Sequence, residues 1–234
     1  LHRAHFAERD LHLLYLLLAD NPLPQLSQNY PLEIHEHQRP LMRIDADAIQ
    51  KTLKKKGNKS KINRLRRLGE LNLKRIKTAA EFTQYVHPLL AYYDLRQGAK
   101  NDSTPFVEDF HKEAFHRAWV ESPEANGVVS VMCLAEQPIS LFFGARVGQC
   151  VANAIVAHMP QWQDLSISKF HIYLLAEELA AEEGVDWIDL TPGGDPWKER
   201  FADEHQTVYE VFYQPNRVRR TTAQVGAKMV SIGS

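Results

Sequence analysis

From Gly127 to His158 apolar and polar positions alternate with a period of two in three runs, GVVSVMCLA, ISLFFGARV and CVANAIVAH. Short polar turns at Glu136 to Pro138 and at Gly148-Gln149 separate them, so the pattern predicts an antiparallel meander of three strands. After the loop MPQWQDLS the period becomes helical. Ile172, Leu175, Ala176 and Leu179 recur on one face of a helix expected from about Ser168 to Glu183 and stopped by Gly184. Val185 to Thr191 then returns to a period of two, with Val185, Trp187, Asp189 and Thr191 on one side and Asp186, Ile188 and Leu190 on the other. A strand, helix, strand order with a connection of this length predicts a parallel pair joined by a right-handed crossover.

Upstream, Thr78 and Glu81 form a capping-box pair ahead of an apolar stripe of Phe82, Tyr85, Val86, Leu89, Tyr92 and Tyr93, which Gly98 should end. Pro88 inside that helix should bend it. A second helix is expected from Thr104-Pro105, with Val107, Phe110, Ala114, Phe115, Ala118 and Trp119 facing inward. Asp45 suits an N-cap for a helix through Ala48, Ile49 and Leu53, interrupted at Gly57-Asn58 before KINRLRRLG, and Leu71 to Ile76 reads as a first strand. LHLLYLLLA is a strand or a buried helical turn, NPLPQLSQNYP a proline-punctuated loop, and TVYEVFYQP a last strand. The expected fold is α/β (α+β): a mixed, mostly antiparallel sheet with helices on both faces. The expected organisation is an N-terminal segment over 1–50, the end of something begun upstream; a main domain over 51–215; and a tail over 216–234 without a core pattern. The chain does not begin with Met, which suggests a piece of a longer protein.

Charge alters this picture in one place. From Lys51 to Lys77 there are twelve Lys and Arg and one acid, Glu70, whereas the chain as a whole has 28 bases and 29 acids. The basic segment can meet the phosphates of a nucleic acid, of a nucleotide cofactor or of an anionic membrane surface, or it can be a solvated helix face. It lacks interleaved aromatics, which weighs against binding single strands. No apolar stretch approaches the roughly 20 residues of a membrane-spanning helix, and no export signal is legible. Cys133 and Cys150 lie in apolar runs and read as buried free thiols in a reducing, cytoplasmic setting. His111 and His116 are five apart, the wrong spacing for a metal pair on a helix, and no metal is expected.

Two places carry candidate chemistry. Asp189 stands near the exit of its strand, before Pro192-Gly193-Gly194, whose glycines let a backbone come close to a ligand, and before a short helix with Trp197, Lys198 and Arg200. Ser166, Ser168 and Lys169 stand at the amino end of the crossover helix. Its free N–H groups and positive dipole end suit a pyrophosphate where two strands part. Each has a plainer role as well: Asp189 capping the turn, the serines capping the helix, Arg200 solvated, and His158 a satisfied histidine at a strand end.

The order of elements is similar to the GCN5-related N-acetyltransferase (GNAT) fold. From about Lys59 to Phe201 the chain resembles, more narrowly, the acetyltransferase family associated with bacterial cellulose and other exopolysaccharide synthesis. The features that carry this are KSKINRLRRL, EQPISLFFGARVG, SISKFHIYLLAEELAAEEGVDWIDL and GGDPWKERFA. The last also resembles the F-K-x-x-F stretch of the Fem aminoacyltransferases. The chain has Ser166-Ile167-Ser168 where family members often carry Ser-Pro-Gly, and Trp197 where they have tyrosine. The resemblance implies acetyl-coenzyme A as acyl donor, with Ser166, Ile167, Ser168 and Lys169 at its pyrophosphate, and a small-molecule or saccharide acceptor with an amine or hydroxyl. Direct transfer in a ternary complex is expected, because neither cysteine sits at the predicted cleft; among the residues around it, Asp189 or His158 is the candidate base, Lys198 the electrostatic stabiliser, as the matching lysine of the Fem-like pattern suggests, and Asp195, Trp197 and Arg200 orient Lys198 or the acceptor. Rival expectations are an aminoacyltransferase using charged tRNA and a non-catalytic interaction module in a polysaccharide synthesis assembly.

Overall fold

The computed structural model describes residues 11–18, 21–193 and 195–213. Gly194 of the expected Pro-Gly-Gly turn and the tail from 216 lie outside them. The chain divides into two compact units, one comprising 40–205 and the other 1–39 with 206–234.

In the smaller unit, β1 (Leu11–Leu16) is followed by α1 (Leu23–Asn29) and by β2 (Leu32–Arg43), which runs on into the larger unit. LHLLYL is thus a strand, and it pairs antiparallel with a strand near the end of the chain through Leu11↔Tyr213 and Leu16↔Tyr209. Glu210 accepts from His12 at 2.7 Å and His37 at 2.9 Å. The sequence pattern does not predict β2. Its first part, LEIHEHQ, is polar and partly exposed, so the apolar alternation that marks a half-buried strand is missing.

The larger unit continues with α2 (Ala46–Lys54), α3 (Lys56–Arg66) and β3 (Leu71–Arg75). Asp45 caps α2 by accepting from Ala48 N at 3.0 Å. The break between the two helices falls at Lys55, whose extended ψ of 137° ends α2, and not at Gly57-Asn58, which lie inside α3. Asn58 instead donates to the Thr52 carbonyl at 2.7 Å, satisfying one of α2's terminal acceptors.

The Thr78–Glu81 capping box is present and opens α4 (Ala79–Glu81), which passes through a π turn over Phe82–Val86 into α5 (His87–Asn101). Pro88 therefore sits in the first turn of α5, where its missing N–H costs nothing, and the wide turn before it absorbs the bend. The helix runs past Gly98 and ends at Asp102, which takes the left-handed conformation at φ 52°. Next come α6 (Pro105–Glu108) and α7 (Phe110–Glu121), separated by Asp109 with an extended backbone. That break resets the helical phase. Val107, Phe110, Ala114, Phe115 and Ala118 are exposed, and the buried face of α7 is His116 with the partly buried Trp119 and Val120.

The meander follows as β4 (Gly127–Leu134), β5 (Gln137–Val147) and β6 (Cys150–His158), with its first turn at Ala135-Glu136, both at positive φ. A short 3-10 turn over Pro160–Leu165 leads into α8 (Ile167–Leu179) and then β7 (Trp187–Asp189), both shorter than the periodicity predicts. Last is β8 (Glu204–Tyr213), which enters the smaller unit. Within the larger unit the strands order as β2-β7-β6-β5-β4-β3, all antiparallel except the parallel β6–β7 pair. Alternate residues of β4 enter opposite cores. Val128 and Met132 pack with α2, α3 and α8, whereas Val129, Val131 and Cys133 pack with Phe82, Val86 and Leu89. This is a mixed, mostly antiparallel sheet covered on both faces. Among the described residues no helix is long and apolar enough to cross a membrane.

Candidate functional site

The parallel ladder between β6 and β7 is three residue pairs long: Cys150↔Trp187, Val151↔Ile188 and Ala152↔Asp189. There β7 ends while β6 runs on to His158, so the two strands part. On its other side β6 carries a bulge at the same place, because Gly144 pairs with Asn153 but Phe143 pairs with Ile155, leaving Ala154 as the extra residue. Gly144 is required at this point, since a Cβ would stand 2.4 Å from the Ala152 carbonyl oxygen. Asn153 is buried, and its side-chain oxygen has no hydrogen-bond partner.

The helix that follows points its amino end at a cleft of about 840 Å³. Ser166 precedes α8 in the left-handed conformation at φ 58°, and no side chain caps the helix. The first intrahelical bond runs from Phe170 N to Ser166 O at 3.2 Å, so the amides of Ile167, Ser168 and Lys169 come before the ladder begins. The serine hydroxyls are engaged elsewhere: Ser166 Oγ accepts from Lys61 Nζ at 2.9 Å, and Ser168 Oγ meets His158 Nδ1 at 2.8 Å.

Of the residues singled out in the sequence, the cleft brings together His158, Ser166, Ser168, Lys169, Trp197 and Arg200. Ile167 is buried in the core beneath them. Asp189, Asp195 and Lys198 are not among the lining residues. Asp189 is buried and accepts from Thr191 N at 2.8 Å. Lys198 is also buried, and its ammonium donates to the carbonyls of Thr191 at 2.9 Å and Pro192 at 3.0 Å, with Asp195 3.9 Å away. Burial holds its pKa below the usual lysine value. Asp195 is hydrogen-bonded to Lys100, and that contact lowers its carboxyl pKa.

The cleft also contains residues that sequence reasoning passed over: Lys55, Asn58 and Lys61 from the α2–α3 elbow, and Arg96 from α5. The density of bases from Lys51 onward was the available signal for the first group; nothing in the sequence marks Arg96. Lys169 donates to Asn58 Oδ1 at 2.8 Å and ties α8 to α3. Among the described residues, Lys55, Lys61, Arg96, Lys169 and Arg200 thus line one cleft together with no Asp or Glu. Burial lowers the Lys169 pKa, and the charges of Lys61, Lys55 and Arg200 lower it further. Burial lowers the His158 pKa too, with the Arg96 charge second, so its imidazole is neutral near pH 7. A cationic cleft beside uncapped helix amides offers positive charge and free N–H donors to an anionic group.

The GNAT acetyltransferase domain model matches residues 54–199. No curated protein matches the sequence. Among solved structures, the C-terminal domain of a candidate lysylphosphatidylglycerol synthetase from Agrobacterium fabrum is similar with a TM-score of 0.56 at 11% identity, over 82% of this chain and 65% of that one. The L-PGS structure from Bacillus licheniformis gives a TM-score of 0.54 at 12% identity, over 85% and 66%. FemX gives 0.54 at 9% identity, over 85% and 70%. At these identities the likeness is one of fold, and the chain spans just under two thirds of the length of either synthetase chain. The parted strands, the helix between them and the matched span agree: the chain belongs to the acetyltransferase (GNAT) domain family.

Proposed function

We propose that this protein is an acyltransferase that moves an acetyl group from acetyl-coenzyme A to an amine or hydroxyl of a small-molecule or saccharide acceptor. The observation that carries the reading is the set of five cationic side chains, with no carboxylate among them, around the uncapped amino end of α8. The residues present fit such a donor. Lys55, Lys61 and Lys169 would hold its phosphates with the amides of Ile167, Ser168 and Lys169.

Coenzyme A would supply a thioester, an acyl carbon activated toward attack. His158 is the base in this reading. In the tautomer whose Nδ1–H donates to Ser168 Oγ, the lone pair lies on Nε2, which takes a proton from the acceptor as the new bond to the acyl carbon forms. When the carbon–sulfur bond breaks, the thiolate recovers the proton from His158. Trp197 and Arg200 border the acceptor, while Asp189, Asp195 and Lys198 shape the turn that positions them. The saccharide acceptor rests on the resemblance of the hairpin, crossover and PWKERF segments to exopolysaccharide acetyltransferases.

Calorimetric titration of acetyl-coenzyme A tests the donor. Binding that Lys61→Ala and Lys169→Ala each weaken about tenfold is expected, corresponding to about 1.4 kcal/mol apiece. Absence of both heat and a thermal shift at millimolar ligand would sink the proposal.

A further inference from the structure

From Ala48 to Gly69 the chain carries nine Lys and Arg and no acid. Some cations outside it pair with carboxylates: Lys74 with Glu136 at 3.0 Å, Arg75 with Glu182 at 2.9 Å, and Lys100 with Asp195. None of the nine makes an ion pair with a described residue. Three of them are also badly placed for α3 itself: Lys55, Lys56 and Lys59 stand at its amino end, where the helix dipole favours acids, and no side chain caps it, whereas Arg64 and Arg66 stand in its last turn, where cations are favoured. Gly57 and Asn58 add weak helix propensity. Local stability therefore does not explain the lysines at the start of α3.

The cations sort onto two sides of α3. Lys61, with Lys55 before the helix, turns to the acyl cleft. Lys56, Lys59, Ser60, Asn63, Arg66 and Arg67 instead line a second, open hollow of about 700 Å³. Their spacing of three, one, three, three and one residues is that of a single helix face, here made of four cations and two neutral hydrogen-bonding side chains. The stripe is about 16 Å long at the helical rise, enough to follow several phosphates of one strand. It contains no aromatic residue to stack bases and no apolar residue to enter a bilayer; the exposed Leu68 lies beyond it.

We propose that this face of α3 binds the phosphodiester backbone of a duplex nucleic acid. The inference is independent of the acyltransferase reading, because none of the stripe residues lines the acyl cleft. Fluorescence anisotropy of the whole chain with a labelled RNA hairpin and a matched DNA hairpin tests it. With four phosphates neutralised, affinity should fall roughly a hundredfold between about 50 and about 200 mM salt. The combined variant K56E/K59E/R66E/R67E should bind at least tenfold more weakly while melting no lower than the parent, since all four side chains are exposed. Tighter binding of one hairpin identifies RNA or DNA as the source, and equal binding is that of a backbone reader. The proposal is overturned if neither hairpin binds at low salt, if the variant binds unchanged, if polyglutamate competes as well as either hairpin, or if phosphatidylglycerol vesicles bind and the hairpins do not.

Discussion

His171 is enclosed between Ser130 and Ser140, 2.9 Å from each hydroxyl. Ser140 donates its proton to the Ala157 carbonyl, so its oxygen accepts from His171 Nδ1–H, and Nε2 accepts from Ser130. Burial pushes the imidazole pKa down to about 3. Between that value and the ordinary 6.5 the unfolded chain binds a proton that the folded chain does not, so stability should fall with decreasing pH through this window. The slope is up to about 1.4 kcal/mol per pH unit from this residue, and His116 and His158, also shifted down, act in the same direction. Urea unfolding from pH 7 to 4 measures the slope, and His171→Gln should reduce it. Lys198 presents a second case. Lys198→Met removes two charge-assisted bonds to the Thr191 and Pro192 carbonyls, which should cost about 2 to 3 kcal/mol of stability. A turnover loss of tenfold or more per folded molecule, with melting unchanged, would instead make Lys198 a catalytic group. The proposed role of His158 as base predicts an acid limb of kcat/KM at a pH below the ordinary histidine value, which Arg96→Gln should move upward by removing a neighbouring positive charge.

At the scale of elements, periodicity served where one face alone is buried and failed where the chain breaks phase. The meander, the capping box and the crossover helix were legible because their signals are local. The stripe through α6 and α7 was not, since Asp109 turns the helix between Val107 and Phe110 and puts both residues in solvent. The bulge in β6 was also invisible, because a one-residue excess exists only relative to the partner strand. Its opposite member, Gly144, gives a test. Gly144→Ala would press a methyl group on the Ala152 carbonyl, and should lower stability by at least about 2 kcal/mol in thermal unfolding. An alanine variant that melts like the parent would show that β6 can shift there freely.

On the scale of the molecule, charge is segregated: a basic α2–α3 segment stands against a remainder richer in acids. The crossover order, the two-sided core and the basic segment follow from the amino-acid sequence alone, because each is a matter of which residues lie a few positions apart or how many of one kind gather in a stretch. The cleft does not follow from it. Lys61 reaches Ser166, Lys169 reaches Asn58, and Arg96 joins them, across separations of more than a hundred residues in the first two cases and about seventy in the third. Only folding decides which cations converge, and which, like Lys198, turn inward to hold a loop. Convergence depends on distances through space, and those are set by how long two strands stay paired before they part.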